Sequence, residues 1–292
     1  MIKTPKKRIN VMVKRIITAV VALCVFVPIL IFSDTWALPI AMGICIAVGT
    51  YEAIKCIGQK KNFFLIIPLC AMSMFLPIYI RLSGNLEEIL IAGATALIAV
   101  SLYVFTVAVF ASKTLNIADA GLLLAIYIYI NTAFSATVYI RDFETNGNFL
   151  IYIPFIVAWV TDTFAYFTGR FFGKHKLIPA VSPKKTIEGA IGGSIFGTLS
   201  MVFSAFVISR FFDPKGEIGA DYLVIVIFGV LISIVGQIGD LIMSVIKRKY
   251  NIKDYGNFFP GHGGMLDRFD SALANTLVLA IACTYFDLLP KI

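Results

Sequence analysis

The sequence predicts an all-α integral membrane protein, a polytopic bundle of about nine transmembrane helices. Three observations carry this. Of the 292 residues 59% are hydrophobic and only 14% charged, and the mean hydropathy is +0.89. A soluble domain usually carries about a quarter charged residues and fewer apolar ones. Apolar windows near the roughly 20 residues needed to cross a bilayer recur along the whole chain. The 25 Lys and Arg residues alternate between dense and sparse segments, as positive-inside loops do.

The windows lie at 16–32, 36–49, 63–80, 89–110, 120–140, 149–167, 189–208, 222–246 and 271–289. Each is expected to be a helix, because an open strand in lipid leaves its backbone donors and acceptors unpaired. The first follows a basic segment and has no small-residue cleavage pattern after it, so an uncleaved span is expected. With the N-terminus cytoplasmic, 20 of the 25 basic residues fall inside and five (Arg81, Arg141, Arg210, Lys215 and Lys291) outside, which places the C-terminus outside. The chain reads as a single membrane domain, with apolar helices over 1–145 and the chemistry concentrated in 146–292. Five cysteines in apolar surroundings exclude a disulfide scaffold. The net charge of +8 fits an anionic leaflet and is not read as nucleic-acid binding.

Two segments of the second half carry ionisable groups. Asp162 lies inside an apolar span, where a carboxylate is costly and faces a partner or a wet cavity. Tyr166, Gly169, Arg170 and Gly173 follow at spacings that share its helical face. Ser182-Pro183 then reads as a helix N-cap with proline in the first turn, followed by Lys184, Lys185 and Thr186. Two ammonium groups at a helix N-terminus make sense if an anion binds there; lipid headgroups on an ordinary basic loop are the plainer alternative.

In the other segment, Asp240, Ser244, Lys247 and Arg248 descend one face of the eighth window. Lys253 and a loop containing Gly261, His262, Gly263 and Gly264 follow, dense enough in glycine to form an anion nest. Asp267, Arg268 and Asp270 open the ninth window, and Asp267 and Asp270 are candidates to share a metal with Asp240. Carboxylates beside many cations and a glycine loop suit phosphoryl or nucleotidyl transfer: carboxylate oxygens hold Mg²⁺ and cations hold phosphates. With only His175 and His262, a histidine-rich metal site is excluded, and no P-loop occurs. A Ser244-His262-Asp hydrolase lacks a nucleophile elbow.

The run S-x-x-K-R-x-x-x-x-K-D-x-G-x-x-x-P-G-H-G-G-x-L-D-R-x-D-S from Ser244 to Ser271 resembles the C-terminal motif of the phosphatidate cytidylyltransferases, or CDP-diacylglycerol synthases. D-x-x-A-Y-x-x-G-R-x-x-G from Asp162 and S-P-K-K-T-x-E-G-x-x-G-G from Ser182 are similar to the family's other block. The resemblance extends to the hydrophobic profile of the whole chain and shows no departure at the defining positions. It implies transfer of a cytidylyl group from CTP to phosphatidic acid, giving CDP-diacylglycerol and pyrophosphate, with Mg²⁺ and a possible second cation. It also implies a homodimer in a bacterial inner membrane or a eukaryotic organelle membrane, each bundle with a polar cavity facing the cytoplasm. On matching positions Asp240 and Asp267 are expected at the metal, with Asp162 and Asp270 behind them, while Lys185, Lys247, Arg248 and Arg268 hold phosphates. Two alternatives stay open: a CTP-dependent lipid-alcohol kinase, and a transporter using Asp162 and Asp240 as relays.

Overall fold

A computed structural model describes residues 5–143, 146–213 and 218–290, with side chains from residue 17. The basic N-terminal side chains, Lys215 and Lys291, which enter the charge tally, lie outside the described residues. In chain order the helices are α1 (Pro5–Ile31), α2 (Ala37–Cys56), α3 (Phe63–Met72), α4 (Phe75–Ser83), α5 (Leu86–Phe110), α6 (Ile117–Asp142), α7 (Gly147–Leu150) and α8 (Ile153–Phe171). Two short strands, β1 (Lys176–Ile178) and β2 (Ser182–Thr186), precede α9 (Ile187–Phe211), α10 (Tyr222–Lys249) and α11 (Leu266–Tyr285). The protein is therefore an all-α, multi-pass membrane protein interrupted by one small hairpin.

Among the described residues, seven helices or helix pairs are long and apolar enough to span a membrane. The windows at 16–32 and 271–289 are helical too but fall outside this set. In α11 the first turns carry Asp267, Arg268, Asp270 and Asn275, which dilute its hydropathy. The window at 36–49 is short because Glu52 and Lys55 follow it, yet α2 runs on to Cys56.

The chain forms two compact units. The first comprises residues 1–131 and 249–269. Here the span 63–83 breaks into α3 and α4 at Ser73 and Met74, upstream of Pro77, which has no N–H to continue the ladder. The Arg81 guanidinium donates to the carbonyls of Ser33, Asp34 and Thr35 at 2.8–3.1 Å and so closes the loop between α1 and α2. Asn85 caps α5 by accepting from Glu87 N at 2.9 Å. Tyr250, just past α10, donates to the Asp119 carboxylate. Burial and that carboxylate push its phenol well above the ordinary range, so it stays a donor.

The second unit comprises residues 132–248 and 270–292. Its apolar core joins Ile140, Val157, Met201, Phe228, Ile232 and Leu279. Between helices in lipid such packing works through close contact, because lipid tails already solvate apolar surface. Helices α8 and α9 show this: a Cβ at Gly192 would lie 2.4 Å from Thr168 Oγ1, and one at Gly189 2.7 Å from the Ala165 carbonyl. Buried Asn275 on α11 donates to the Pro154 carbonyl at 3.1 Å, tying α11 to the start of α8.

One expectation is overturned here. Ser182 is not a helix cap, and Lys184 and Lys185 do not lie in a first helical turn. Residues 182–186 form β2, antiparallel to β1 with Lys176 opposite Thr186 and Ile178 opposite Ser182. Pro183 is tolerated because a two-stranded hairpin leaves N–H positions that need no ladder partner. The helix begins only after β-branched Thr186, which is extended (φ −124°, ψ 156°) and accepts from Gly189 N at 3.1 Å. Thr186 is the N-cap.

Candidate functional site

In the second unit, four of the five residues expected on one face of α8 line one cavity; Gly173 does not, because the helix ends at Phe171. Asp162, Tyr166, Gly169 and Arg170 line a cavity of about 230 Å³, together with Lys184, Lys185 and Thr186 of β2, the start of α9, and Gln237 of α10. Lys185 Nζ lies 2.5 Å from Asp240 Oδ2. Asp240 also accepts from the Ser244 hydroxyl at 3.3 Å, one turn along α10. Asp162 accepts from the Ser271 hydroxyl at 3.1 Å, and Arg170 donates to the Tyr166 hydroxyl at 2.8 Å. Arg248 donates to the Val181 carbonyl in the hairpin turn at 3.2 Å. The hairpin thus delivers its lysines to a carboxylate on α10, a juxtaposition that depends on Lys184 and Lys185 being on a strand.

Lys247 is buried, and both it and the carboxylates of Asp240 and Asp162 act electrostatically on Asp270. Asp270 thus feels the charges of Asp240, Asp162 and Lys247, while Lys185 is the counter-charge of Asp240. Among the described residues no three Asp, Glu, His or Cys side chains form a metal cage of their own. A hard cation such as Mg²⁺ is commonly held by one or two carboxylates plus substrate phosphates. The donors these acids offer are all oxygen, the type that hard cations take.

Two groups in this unit escape the sequence reading. Gln237, only 8% exposed, donates from Nε2 to the Ala190 carbonyl, Ser194 Oγ and the Ser233 carbonyl, and so joins α10 to α9 at the cavity wall. Its signal is a polar amide in an apolar span, three residues before Asp240. Glu188 receives the His175 backbone N–H and lies 2.7 Å from His175 Nδ1, which fastens β1 to the first turn of α9.

In the first unit, the glycine loop has the tight backbone its composition predicts. Gly261 (φ 82°) and Gly263 (φ 94°) are left-handed, and Phe259 N donates to the Gly263 carbonyl at 2.9 Å. The N–H groups around the loop converge on the protein's own acids. Asp267 Oδ2 accepts from Tyr255 N at 2.8 Å and Gly264 N at 2.9 Å, and Asp267 is 7% exposed. Glu52, buried on α2, accepts from Met265 N and Leu266 N, each at 3.0 Å, capping α11 from another helix. A Cβ at Gly256 or Gly264 would stand 2.2 or 2.3 Å from Glu52 Oε1, so these two glycines make room for that carboxylate. Glu52 has no local sequence signature, since its partners lie more than 200 residues away. Lys253 and Arg268 are exposed, whereas Gly263 and Gly264 are buried and His262 is half-buried.

The chain matches the profile of the Cytidylyltransferase family over residues 13–286. It is 34% identical over 266 residues to the phosphatidate cytidylyltransferase of Bacillus subtilis (strain 168), covering 90% of this chain and 94% of that protein. A Staphylococcus epidermidis protein of the same name is 34% identical over 257 residues, covering 88% and 93%. The Staphylococcus aureus one is 32% identical over 264 residues, again covering 88% and 93%.

Proposed function

The chain belongs to the Cytidylyltransferase family, and from that premise we propose that it transfers the cytidylyl group of CTP to phosphatidic acid, giving CDP-diacylglycerol and pyrophosphate. The observation that carries this reading is the cation-rich cavity of the second unit, where Lys185 meets Asp240. A phosphate oxygen of the lipid attacks the α-phosphorus of CTP; the new P–O bond forms as the bond to the β-phosphate breaks, and pyrophosphate leaves with that electron pair. No protein nucleophile is needed, because a phosphate dianion already attacks, and catalysis amounts to alignment and charge neutralisation.

The residues divide the work by charge. A phosphate entering the cavity competes with Asp240 for Lys185, while Lys184 and Arg170 attract the remaining oxygens. Lys247 and Arg248 serve as further phosphate-binding cations of this unit, and Ser182, Thr186, Ser244 and Tyr166 as its substrate contacts. Asp240 and Asp162 would hold Mg²⁺ in this unit, with Asp270 as a supporting acid, and the ion would supply charge neutralisation at the reacting phosphates. The enzyme is placed as a homodimer in a bacterial cell membrane, N-terminus inside and C-terminus outside, so that CTP reaches the cavity from the cytoplasm.

Incubation of the purified protein with labelled CTP, phosphatidic acid and Mg²⁺, followed by identification of the lipid product, tests this. A CDP-lipid and released pyrophosphate are expected. A phosphorylated alcohol in a parallel assay with diacylglycerol, or no CTP-dependent product at all, overturns it.

A further inference from the structure

Adjoining the charged cavity is a second, apolar space of about 650 Å³ between α9 and α10. The two share Leu177, Ala190 and Gln237 in their walls and lie side by side. Its sides are two ladders with a four-residue step: Ile191, Ile195 and Leu199 on α9, and Val230, Ile234 and Ile238 on α10. All six side chains are roughly half exposed, so the groove is open along its length and not a filled seam. From Ala190 to Leu199 the helical rise gives a depth of roughly 14 Å. That is close to half of the ~30 Å hydrocarbon thickness, the depth of one leaflet.

The geometry points to an acyl-chain channel: one tail of the phosphatidate lies along the α9–α10 groove while its phosphate sits among Lys184, Lys185 and Arg170 in the adjoining cavity. The inference rests on the lipid substrate proposed above and adds which surface reads the tail. Charge and polarity match such a ligand end to end, with cations at one end, apolar walls one leaflet deep at the other, and a polar junction between. At that junction Ser194 Oγ lines the groove and accepts from Gln237 Nε2 at 3.0 Å, which leaves its own O–H to donate to an ester carbonyl. A soluble nucleotide has no use for the apolar part, and a bulk lipid without a phosphate monoester has less use for the cations.

Filling the groove tests the assignment. In Ile195→Trp and, from the facing wall, Ile234→Trp, the KM for dioleoyl-phosphatidate in mixed micelles should rise about tenfold, the equivalent of about two methylene groups kept out of the groove. The KM for CTP and for dihexanoyl-phosphatidate should stay within about twofold, since a short chain does not reach Ile195. An equal rise for both lipids, or none for either, overturns the channel. Cytidylyl transfer to the short-chain lipid separates this from the proposed reaction: if wild-type protein makes no CDP-lipid from either substrate, it is the reaction that has failed. A measurement on the wild-type protein avoids any folding defect of the variants. A phosphatidate carrying a diazirine on its tail should label the α9 segment 191–199, with unlabelled phosphatidate competing. Equal, uncompeted labelling by a diazirine phosphatidylcholine would show a site for bulk lipid and overturn the assignment.

Discussion

In the first unit Glu52 and Asp267 direct their oxygens to backbone N–H groups, whereas in the second Asp240 and Asp162 meet side chains, an ammonium and hydroxyls. Both sets are carboxylates in a membrane protein, and both lie near glycine-rich segments. A backbone N–H cannot turn away, so a carboxylate that satisfies two of them is part of the scaffold. A lysine on a four-carbon stem can turn away, so the Lys185–Asp240 pair can open and admit a substrate. The distinction separates acids held by the backbone from acids held by side chains, although the residue type is the same.

Three substitutions break or sharpen that contrast. The largest effect is expected for Asp240→Asn: kcat for cytidylyl transfer should fall about a thousandfold, the scale of losing an electrostatic group at a phosphoryl centre, while the melting temperature in detergent stays at the wild-type value. Unchanged turnover would remove Asp240 from the chemistry. Glu52→Ala should show the reverse pattern. Two buried N–H groups lose their acceptor, at a cost of about 3 kcal/mol, which differential scanning calorimetry would register as a lower melting temperature, with the folded fraction keeping its KM for CTP. A stable but inactive Glu52→Ala protein would put Glu52 among the working acids. Smallest is Thr186→Val, which keeps the shape between the helices but deletes the cap oxygen. It should cost about 1 kcal/mol, read from the same thermal unfolding, and a loss above 3 kcal/mol would mean that the hydroxyl does more than cap α9.

Periodicity and charge made much of this legible in advance. The membrane helices follow from apolar windows, and the shared face of Asp162, Tyr166 and Arg170 follows from the helical repeat. What local pattern misread was the segment from Ser182. Ser-Pro before two lysines has the look of a helix start, but pairing with Lys176–Ile178 outcompetes it and postpones the cap to Thr186. Glu52 was hidden for a related reason. An acid near the end of an apolar window resembles any boundary residue, and only the return of the chain at Met265 and Leu266 shows why it is buried. The glycine content of the loop likewise does not announce that Gly256 and Gly264 make room for Glu52.

That return has a consequence in time. Glu52 is synthesised 213 residues before the Met265 N–H that it accepts. At the usual pace of a ribosome, roughly 5–20 residues per second, the wait is on the order of 10–40 seconds. Throughout it, α2 holds a carboxylate whose permanent partners do not yet exist, and the first unit stays unfinished until the whole of residues 132–248 has been made. Residues 249–269 are thus the last part of the first unit to be laid down, and the capture of Met265 and Leu266 by Glu52 marks the moment at which the early helices of the nascent chain become complete.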